Sequence, residues 1–169
     1  MNDRGPITIL TTGGTIDKDY FDALSAYHIT GSAAPALLAA ARVTHPFEIV
    51  EVARKDSLDL TDEDRNRLRD AVARARGDRV VITHGTDTMA ATARHLAPAA
   101  GKTIVLAGAW SPARFAESDA PFNLGMAFAC CQTAPPGIYI AMNGTVFRGD
   151  EAVKDRDRGS FVPIPAHGG

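Results

Sequence analysis

The sequence predicts an α/β fold in which helices cover both faces of a mainly parallel sheet. Five short apolar runs alternate with segments whose apolar residues recur at helical spacing, and polar or glycine-containing clusters follow the strands. Parallel strands buried on both faces have this continuous apolar pattern, and right-handed crossovers connect them. The strands are predicted at residues 7–11, 47–52, 79–83, 103–107 and 137–142.

The helices between these strands are indicated by their caps and by their periodicity. Pro35 suits the first turn of a short helix. Thr61 is the expected N-cap of a second helix, because residues 62–64 are all acidic and acidic side chains are favoured in a first turn. A third helix is expected from about Asp87, and a fourth after Asp119, where an apolar face begins.

The connecting segments suggest less regular structure. Residues 17–34 are polar and contain Tyr27, so we expect a flexible loop that acts as a lid, with a merely mobile surface loop as the alternative. Asn143 and Gly144 form a strong hairpin turn signal, which predicts a β-hairpin near the C-terminal end. Residues 155–169 are charged and then rich in Pro and Gly, and we expect a peripheral tail there.

Composition limits the classes of partner. The 169 residues suit one domain, and 18 basic against 20 acidic residues leave a net charge of -2 with no like-charge run typical of nucleic-acid binding. No apolar stretch approaches the ~20 residues of a membrane span, and the first residues lack a signal-peptide pattern, which favours a cytoplasmic protein. Cys130 and Cys131 are neighbours, so they offer no spaced metal ligands and are expected in the core.

Polar clusters are expected to meet at one edge of the sheet. They occupy residues 12–15, 56–59, 85–87 and 109–112, each after a predicted strand. The carboxyl edge of an open α/β sheet is where ligands bind. The sequence therefore predicts a crevice for a small polar ligand at this edge. A helix-capping role for Thr86 and Asp87 is the simpler alternative.

The candidate chemistry rests on hydroxyl, carboxylate and amine groups. Metal-ligand spacing, a Walker lysine, a G-x-S-x-G elbow and a dinucleotide fingerprint are all absent from the sequence. A threonine hydroxyl becomes a useful nucleophile when a base takes its proton and donors stabilise the oxyanion. Thr15, Thr86, Asp87 and Lys154 could supply both. The alternative for Lys154 is a solvated lysine within the charged run 148–158.

Two motifs carry a family resemblance. Residues 12–16, TGGTI, together with residues 84–89, HGTDTM, resemble the two signature motifs of the bacterial L-asparaginases. Further matches follow in the family's order at residues 56–59, 108–112, 119–124 and 142–146, the last leading to Lys154. The resemblance covers nearly the whole chain but corresponds to the larger, N-terminal domain of the usual enzyme. It implies a flavodoxin-like sheet and a short-chain form made of this single domain, residues 1–169.

The resemblance also implies an amidohydrolase that needs neither metal nor cofactor. Thr15 would attack the side-chain amide of L-asparagine, and water would release L-aspartate from the acyl-enzyme. Tyr27 would help to activate Thr15, while Thr86, Asp87 and Lys154 would form a second catalytic set. Ser57 would hold the α-carboxylate, and Asp87 would face the α-ammonium. The expected substrate-contacting residues are Gly14, Asp56, Ser57, Gly85, Thr86, Asp87 and Ala109.

Two departures from the family pattern leave open questions. In the usual family, the C-terminal domain of a neighbouring subunit completes the pocket around the α-amino group, and this chain has no counterpart of it. We therefore expect a homo-oligomer, a dimer or tetramer, and keep as the alternative a non-catalytic amino-acid-binding or regulatory module. Trp110 stands where the family usually has methionine. Preference between asparagine and glutamine stays open, since one methylene is worth only ~1–3 kcal/mol.

Overall fold

A computed structural model describes residues 5–21, 26–97, 99 and 101–165. The strands are β1 (Ile7–Gly13), β2 (Lys18–Phe21), β3 (Ala26–Ile29), β4 (Phe47–Lys55), β5 (Arg79–Thr83), β6 (Thr103–Ala107), β7 (Gly137–Met142), β8 (Thr145–Arg148), β9 (Ala152–Asp155) and β10 (Ser160–Pro163). The helices are α1 (Ala34–Ala40), α2 (Asp62–Arg74), α3 (Met89–His95) and α4 (Ala120–Thr133). Short 3₁₀ turns occupy Thr15–Asp17 and Ser57–Asp59.

The central sheet has the strand order β4-β1-β5-β6-β7-β8. Its first five strands are parallel, and β8 joins the edge antiparallel to β7. In the order in which the parallel strands occur along the chain, this is the 2-1-3-4-5 arrangement of flavodoxin-like folds. The prediction of a mainly parallel α/β sheet is confirmed. The strand order reverses between β1 and β5, and ligands bind such sheets outside the carboxyl ends of the strands at this point.

Each central strand contributes side chains to two cores. Val81 packs in a cluster with residues of α1 and α4, whereas its neighbours Val80 and Ile82 pack in a cluster with residues of α2 and α3. All three side chains are fully buried. Successive residues of a strand point to opposite faces, so an uninterrupted apolar run is what a sheet covered on both sides requires.

The start of α2 is held by a network of polar contacts. Thr61 and Asp64 form a reciprocal capping box, which confirms Thr61 as the N-cap. The buried Asp64 carboxylate also accepts from Lys55 at 2.9 Å and pairs with Arg67. These bonds, that from Lys55 above all, hold the pKa of Asp64 well below its usual range. Because Lys55 ends β4, the network ties α2 to the edge of the sheet where polar residues collect.

The start of α4 is held by Ser118 and Asp119 in different ways. Asp119 occupies the N-cap position, but its side chain does not cap the helix. Its carboxylate instead accepts from the backbone N–H groups of Trp110 and Ser111 at 3.0 Å. The hydroxyl of Ser118 accepts from the Ala120 N–H at 3.0 Å. Asp119 therefore fixes the loop after β6 to the beginning of α4.

The segment predicted as a flexible loop, residues 17–34, contains regular structure. Strands β2 and β3 pair antiparallel, with Tyr20 opposite Tyr27, and these rings make an edge contact at 5.6 Å. The sequence did not indicate these two strands, because they are only four residues each and of mixed polarity and so show no clear period. The role of the segment as a lid stays a prediction. Residues 22–25 lie outside the described part of the chain.

The C-terminal segment is also more ordered than expected. Asn143 and Gly144 have positive φ angles of 53° and 71° and connect β7 to β8, which confirms the hairpin turn. Strands β9 and β10 form a second hairpin, and Phe161 in β10 is 4% exposed within the core beside α2 and α3. The prediction of a peripheral tail is therefore wrong for Ser160–Pro163, because one buried aromatic residue anchors it; residues 166–169 lie outside the described chain. No helix within the described ranges is long and apolar enough to cross a membrane.

Candidate active site

Three loops meet where the strand order reverses. Gly14 follows β1, Ser57 follows β4 and Gly85 follows β5. A Cβ built on Gly14 would lie 2.5 Å from the Gly85 Cα, and one built on Gly85 would lie 2.6 Å from the Ser57 Cβ. Any side chain at either glycine would therefore push the loops apart. The contact brings the segments bearing Thr15, Ser57 and Thr86 around one crevice.

Lys154 reaches this crevice from β9. Its Nζ lies 2.8 Å from Thr86 Oγ1 and 2.9 Å from Asp87 Oδ1, and 4.6 Å from the ring centroid of Trp110. Thr86 is buried, and the Lys154 and Asp87 side chains are 14% and 28% exposed. The structure thus brings Thr86, Asp87 and Lys154 together. The alternative of a solvated Lys154 is wrong, since β9 directs its amine inward.

Arg156 is a further member of this cluster that the sequence analysis missed. Its Nη2 donates to the same Asp87 oxygen at 3.1 Å, and its side chain is 71% exposed. The residue lies two positions after Lys154, in a charged run that predicts a solvated surface. Because Arg156 lies beyond the end of β9, the alternation of side chains along a strand gave no signal for it.

Thr15 and Tyr27 are not joined in the structure. Thr15 is half-buried, and no hydrogen bond to its hydroxyl occurs among residues 5–21, 26–97, 99 and 101–165. Tyr27 is 53% exposed, and its ring packs against Tyr20 and Phe115, the latter at 6.1 Å. The β2–β3 hairpin therefore holds Tyr27 in an aromatic cluster beside the crevice.

The loop after β4 contributes one free buried hydroxyl. Ser57 is 1% exposed, and its Oγ has no hydrogen-bond partner in the described structure. Asp56, beside it, accepts from Lys18 Nζ at 2.9 Å and from the Leu58 N–H. Partial burial opposes ionisation of Asp56, but these bonds outweigh it and lower the pKa of the carboxyl. Ala109, after β6, is buried at 1% exposure.

A buried chain of hydrogen bonds supports the loop that carries Thr86. His84 Nε2 lies 2.8 Å from Thr92 Oγ1, and His84 Nδ1 lies 2.7 Å from the Gly85 carbonyl oxygen. Because a carbonyl oxygen can only accept, Nδ1–H donates to Gly85, and Nε2 of the neutral ring accepts from the Thr92 hydroxyl. That hydroxyl in turn accepts from Arg65 Nε. Burial lowers the pKa of His84 to about 4, which keeps the ring neutral and this tautomer in place. His84 is thus a positioning residue, recognised beforehand only as part of a motif.

Asp17 lies in the same 3₁₀ turn as Thr15. Its side chain is buried, and Oδ1 accepts from the Ala33 N–H at 2.8 Å. Burial is the main cause that raises the pKa of Asp17 to about 6. The carboxyl group of Asp17 connects the Thr15 turn to the start of α1. The backbone carbonyl oxygen of Asp17 accepts from the N–H of Thr30, which follows β3. The sequence analysis did not single it out.

Within the described ranges, no group of three or more His, Cys, Asp or Glu side chains has a metal-binding arrangement. Cys130 and Cys131 are buried and free, as expected of core residues. The cluster around Lys154 instead combines a hydroxyl, an amine, a guanidinium and a carboxylate. Such a set can move protons between hydroxyls and stabilise a developing oxyanion.

Residues 6–159 match the family model described as Asparaginase, N-terminal. The chain belongs to the asparaginase family. It is 32% identical to L-asparaginase 2 of Escherichia coli over 160 residues, covering 88% of this chain and 46% of that protein. Its structure superposes on the L-asparaginase of Thermococcus kodakarensis with a TM-score of 0.84 and 30% identity, covering 96% of this chain and 52% of that one.

Another similar protein is an amidotransferase subunit rather than an asparaginase. A glutamyl-tRNA(Gln) amidotransferase component from Pyrococcus abyssi is 33% identical over 154 residues, which cover 82% of this chain and 33% of that protein. This asparaginase-family chain spans about half the length of the L-asparaginases that it matches.

The close approach of the loops can be tested through Gly14. Gly14 and Gly101 have similar φ angles, 85° and 88°, but a Cβ on Gly101 would have nothing within 4 Å. Gly101→Ala should therefore cost only the strain of a positive φ, about 1–2 kcal/mol of unfolding free energy. Gly14→Ala should cost at least about 3 kcal/mol more, because backbone atoms must separate. Urea unfolding measures both, and equal losses would contradict the proposed contact.

The raised pKa of Asp17 predicts a pH-dependent effect on stability. The folded protein keeps this proton up to about pH 6, whereas an unfolded aspartate loses it near 3.8, so the free energy of unfolding falls as pH rises through this interval. Asp17→Asn should raise the unfolding free energy by about 2 kcal/mol at pH 8 and have little effect at pH 3.5. The control Asp19→Asn removes an exposed carboxylate paired with Arg114. Identical pH profiles for wild type and Asp17→Asn would refute the assignment.

Proposed function

We propose that this chain is an amidohydrolase that converts L-asparagine to L-aspartate and ammonia, with Thr15 as nucleophile. The observation that carries the proposal is the bonding of Lys154 Nζ to both Thr86 Oγ1 and Asp87 Oδ1, at 2.8 and 2.9 Å. This set lies across the contact between Gly14 and Gly85 from the turn that bears Thr15. Membership of the asparaginase family supports an amide as the reacting group.

The proposed reaction has two halves. Thr15 Oγ forms a bond to the amide carbon, its proton passes to the amide nitrogen, and the C–N bond breaks to release ammonia. The resulting ester is then attacked by water, which gives its oxygen and one proton to the carboxylic acid and returns the other proton to Thr15. Each half develops negative charge on the carbonyl oxygen, so nearby donors lower both barriers.

The cluster around Lys154 is proposed to handle the proton transfers. Thr86 offers a hydroxyl that both donates and accepts, and the Lys154 amine beside it takes up or returns a proton. Asp87 orients that amine. Tyr27 is proposed to assist Thr15 once the β2–β3 hairpin brings its hydroxyl closer.

The substrate is proposed to contact the converging loops. The unpartnered hydroxyl of Ser57 is suited to an α-carboxylate, because a buried polar group without a partner gains a bond when ligand binds. Gly14 and Gly85 allow the substrate to approach the backbone closely. The backbone of Ala109 would contact the substrate amide. The bond from Lys18 to Asp56 stabilises the loop after β4, which carries Ser57.

Substitution of the reacting groups should abolish ammonia release. We expect Thr15→Ala, Thr86→Ala and Lys154→Met each to lower kcat by at least about 100-fold, with unchanged circular dichroism. Thr133→Ala is the matched control, since Thr133 is exposed at the end of α4, just before β7 begins. Full activity in any of the three variants would remove that residue from the mechanism.

A non-catalytic amino-acid-binding module would behave differently in the same experiment. Calorimetry would then show that wild-type protein binds aspartate, while purified protein releases no ammonia from asparagine. The paired hydroxyls and the amine argue against this alternative, because binding alone requires charge complementarity but no proton relay.

Assembly is the second part of the proposal. We propose that residues 1–169 form a single domain of the asparaginase N-terminal type, and that the protein works as a homo-oligomer. Sedimentation velocity should show a dimer or tetramer with ammonia-releasing activity. A protein that is fully active as a monomer would contradict this assembly.

A further inference from the structure

One carboxylate oxygen in the crevice serves two cations. Asp87 Oδ1 accepts from Lys154 Nζ at 2.9 Å and from Arg156 Nη2 at 3.1 Å. A guanidinium has five N–H donors, so most of those on Arg156 are free after this bond. With its side chain 71% exposed, Arg156 presents these donors at the mouth of the crevice.

The other ion pairs around the crevice do not involve Arg156. Lys18 pairs with Asp56 and Arg114 pairs with Asp19. The carboxylate of Asp155, between the two cationic residues, pairs with Arg158 and accepts from backbone N–H groups in its own turn. Among the described residues, Asp87 is therefore the one carboxylate that pairs with both Lys154 and Arg156.

This arrangement is unfavourable for a substrate ammonium group. An ammonium placed against Asp87 would share a carboxylate that is already compensated and would lie close to the Arg156 guanidinium. A substrate carboxylate, in contrast, is attracted by the Arg156 guanidinium, whose planar donors suit bidentate pairing. The charge of the site thus distinguishes between the two groups of an α-amino acid.

We propose that the site prefers amides of dicarboxylic acids that have a free carboxylate and no α-ammonium, and that Arg156 is the specificity-determining residue. The amine is absent from such a substrate, or it is acylated and neutral. The inference rests on the proposed amide hydrolysis and deepens it: L-asparagine is hydrolysed, but less efficiently than its analogue without the amine.

The test compares three amides that differ at one position. L-asparagine has the α-ammonium, N-acetyl-L-asparagine has it neutralised, and succinamic acid lacks it. Ammonia release by the protein of residues 1–169 gives kcat/KM for each. We expect kcat/KM for succinamic acid to exceed that for asparagine by at least about fivefold, with a smaller ratio at high salt, because an exposed charge is screened.

Two variants assign the preference to one residue. Arg156→Gln keeps an N–H donor for Asp87 but removes the charge, and should shift the succinamic acid to asparagine ratio toward asparagine by about tenfold, equivalent to about 1.4 kcal/mol. Arg158→Gln is the control. It also removes one positive charge, but from a side chain that is 75% exposed and pairs with Asp155. It should leave the ratio unchanged.

Each other outcome has a distinct meaning. Preference for asparagine in the wild type, with a ratio unaffected by Arg156→Gln, would overturn the inference while the amidohydrolase proposal stands. An equal loss of activity on all three amides in Arg156→Gln would also overturn it, because Arg156 would then only position Asp87. No ammonia from any amide would instead refute the proposed function itself.

Discussion

The contact between the loops after β1, β4 and β5 is the constraint on which the rest of the crevice depends. Gly14 touches the backbone of Gly85, and Gly85 touches Ser57, so the three segments act as one unit. The contact lies at the reversal of strand order, where two neighbouring loops diverge to opposite faces of the sheet. The reversal of strand order is by itself sufficient to form a cleft there. Glycine is required because only its backbone can approach this closely.

Packing of the β9–β10 hairpin supports the position of Lys154 in the crevice. Phe161 pairs with Lys154 in the β9–β10 hairpin, and its ring is buried in the core beside α2 and α3. The Phe161 N–H donates to the side chain of Asn143 in the β7–β8 turn, which fixes the hairpin to the edge of the sheet. Burial of one aromatic side chain, worth about 1.5–3 kcal/mol, thereby supports the position of the Lys154 amine.

The charge arrangement links fold to specificity. Lys154 in β9 and Arg156, just after the strand ends, both donate to Asp87. The lysine is enclosed and bonded to a threonine, which suits proton transfer. The arginine is exposed, which suits recognition of an incoming anion. One short strand and its end thus supply both a reacting group and a selecting group to the proposed amidohydrolase.

Sequence alone determined the five parallel strands, the capped α2 and the polar clusters at one sheet edge. Their signals are local, because apolar runs, acidic first turns and glycine turns can each be recognised within a short segment. Tertiary structure alone decided the partners of Lys154, the part of Arg156 and the neutral tautomer of His84. These depend on contacts between residues far apart in the chain; Lys154 and Thr86 are 68 positions apart. The hairpins β2–β3 and β9–β10 also escaped prediction, since four-residue strands of mixed polarity are stabilised by what they pack against and not by their own pattern.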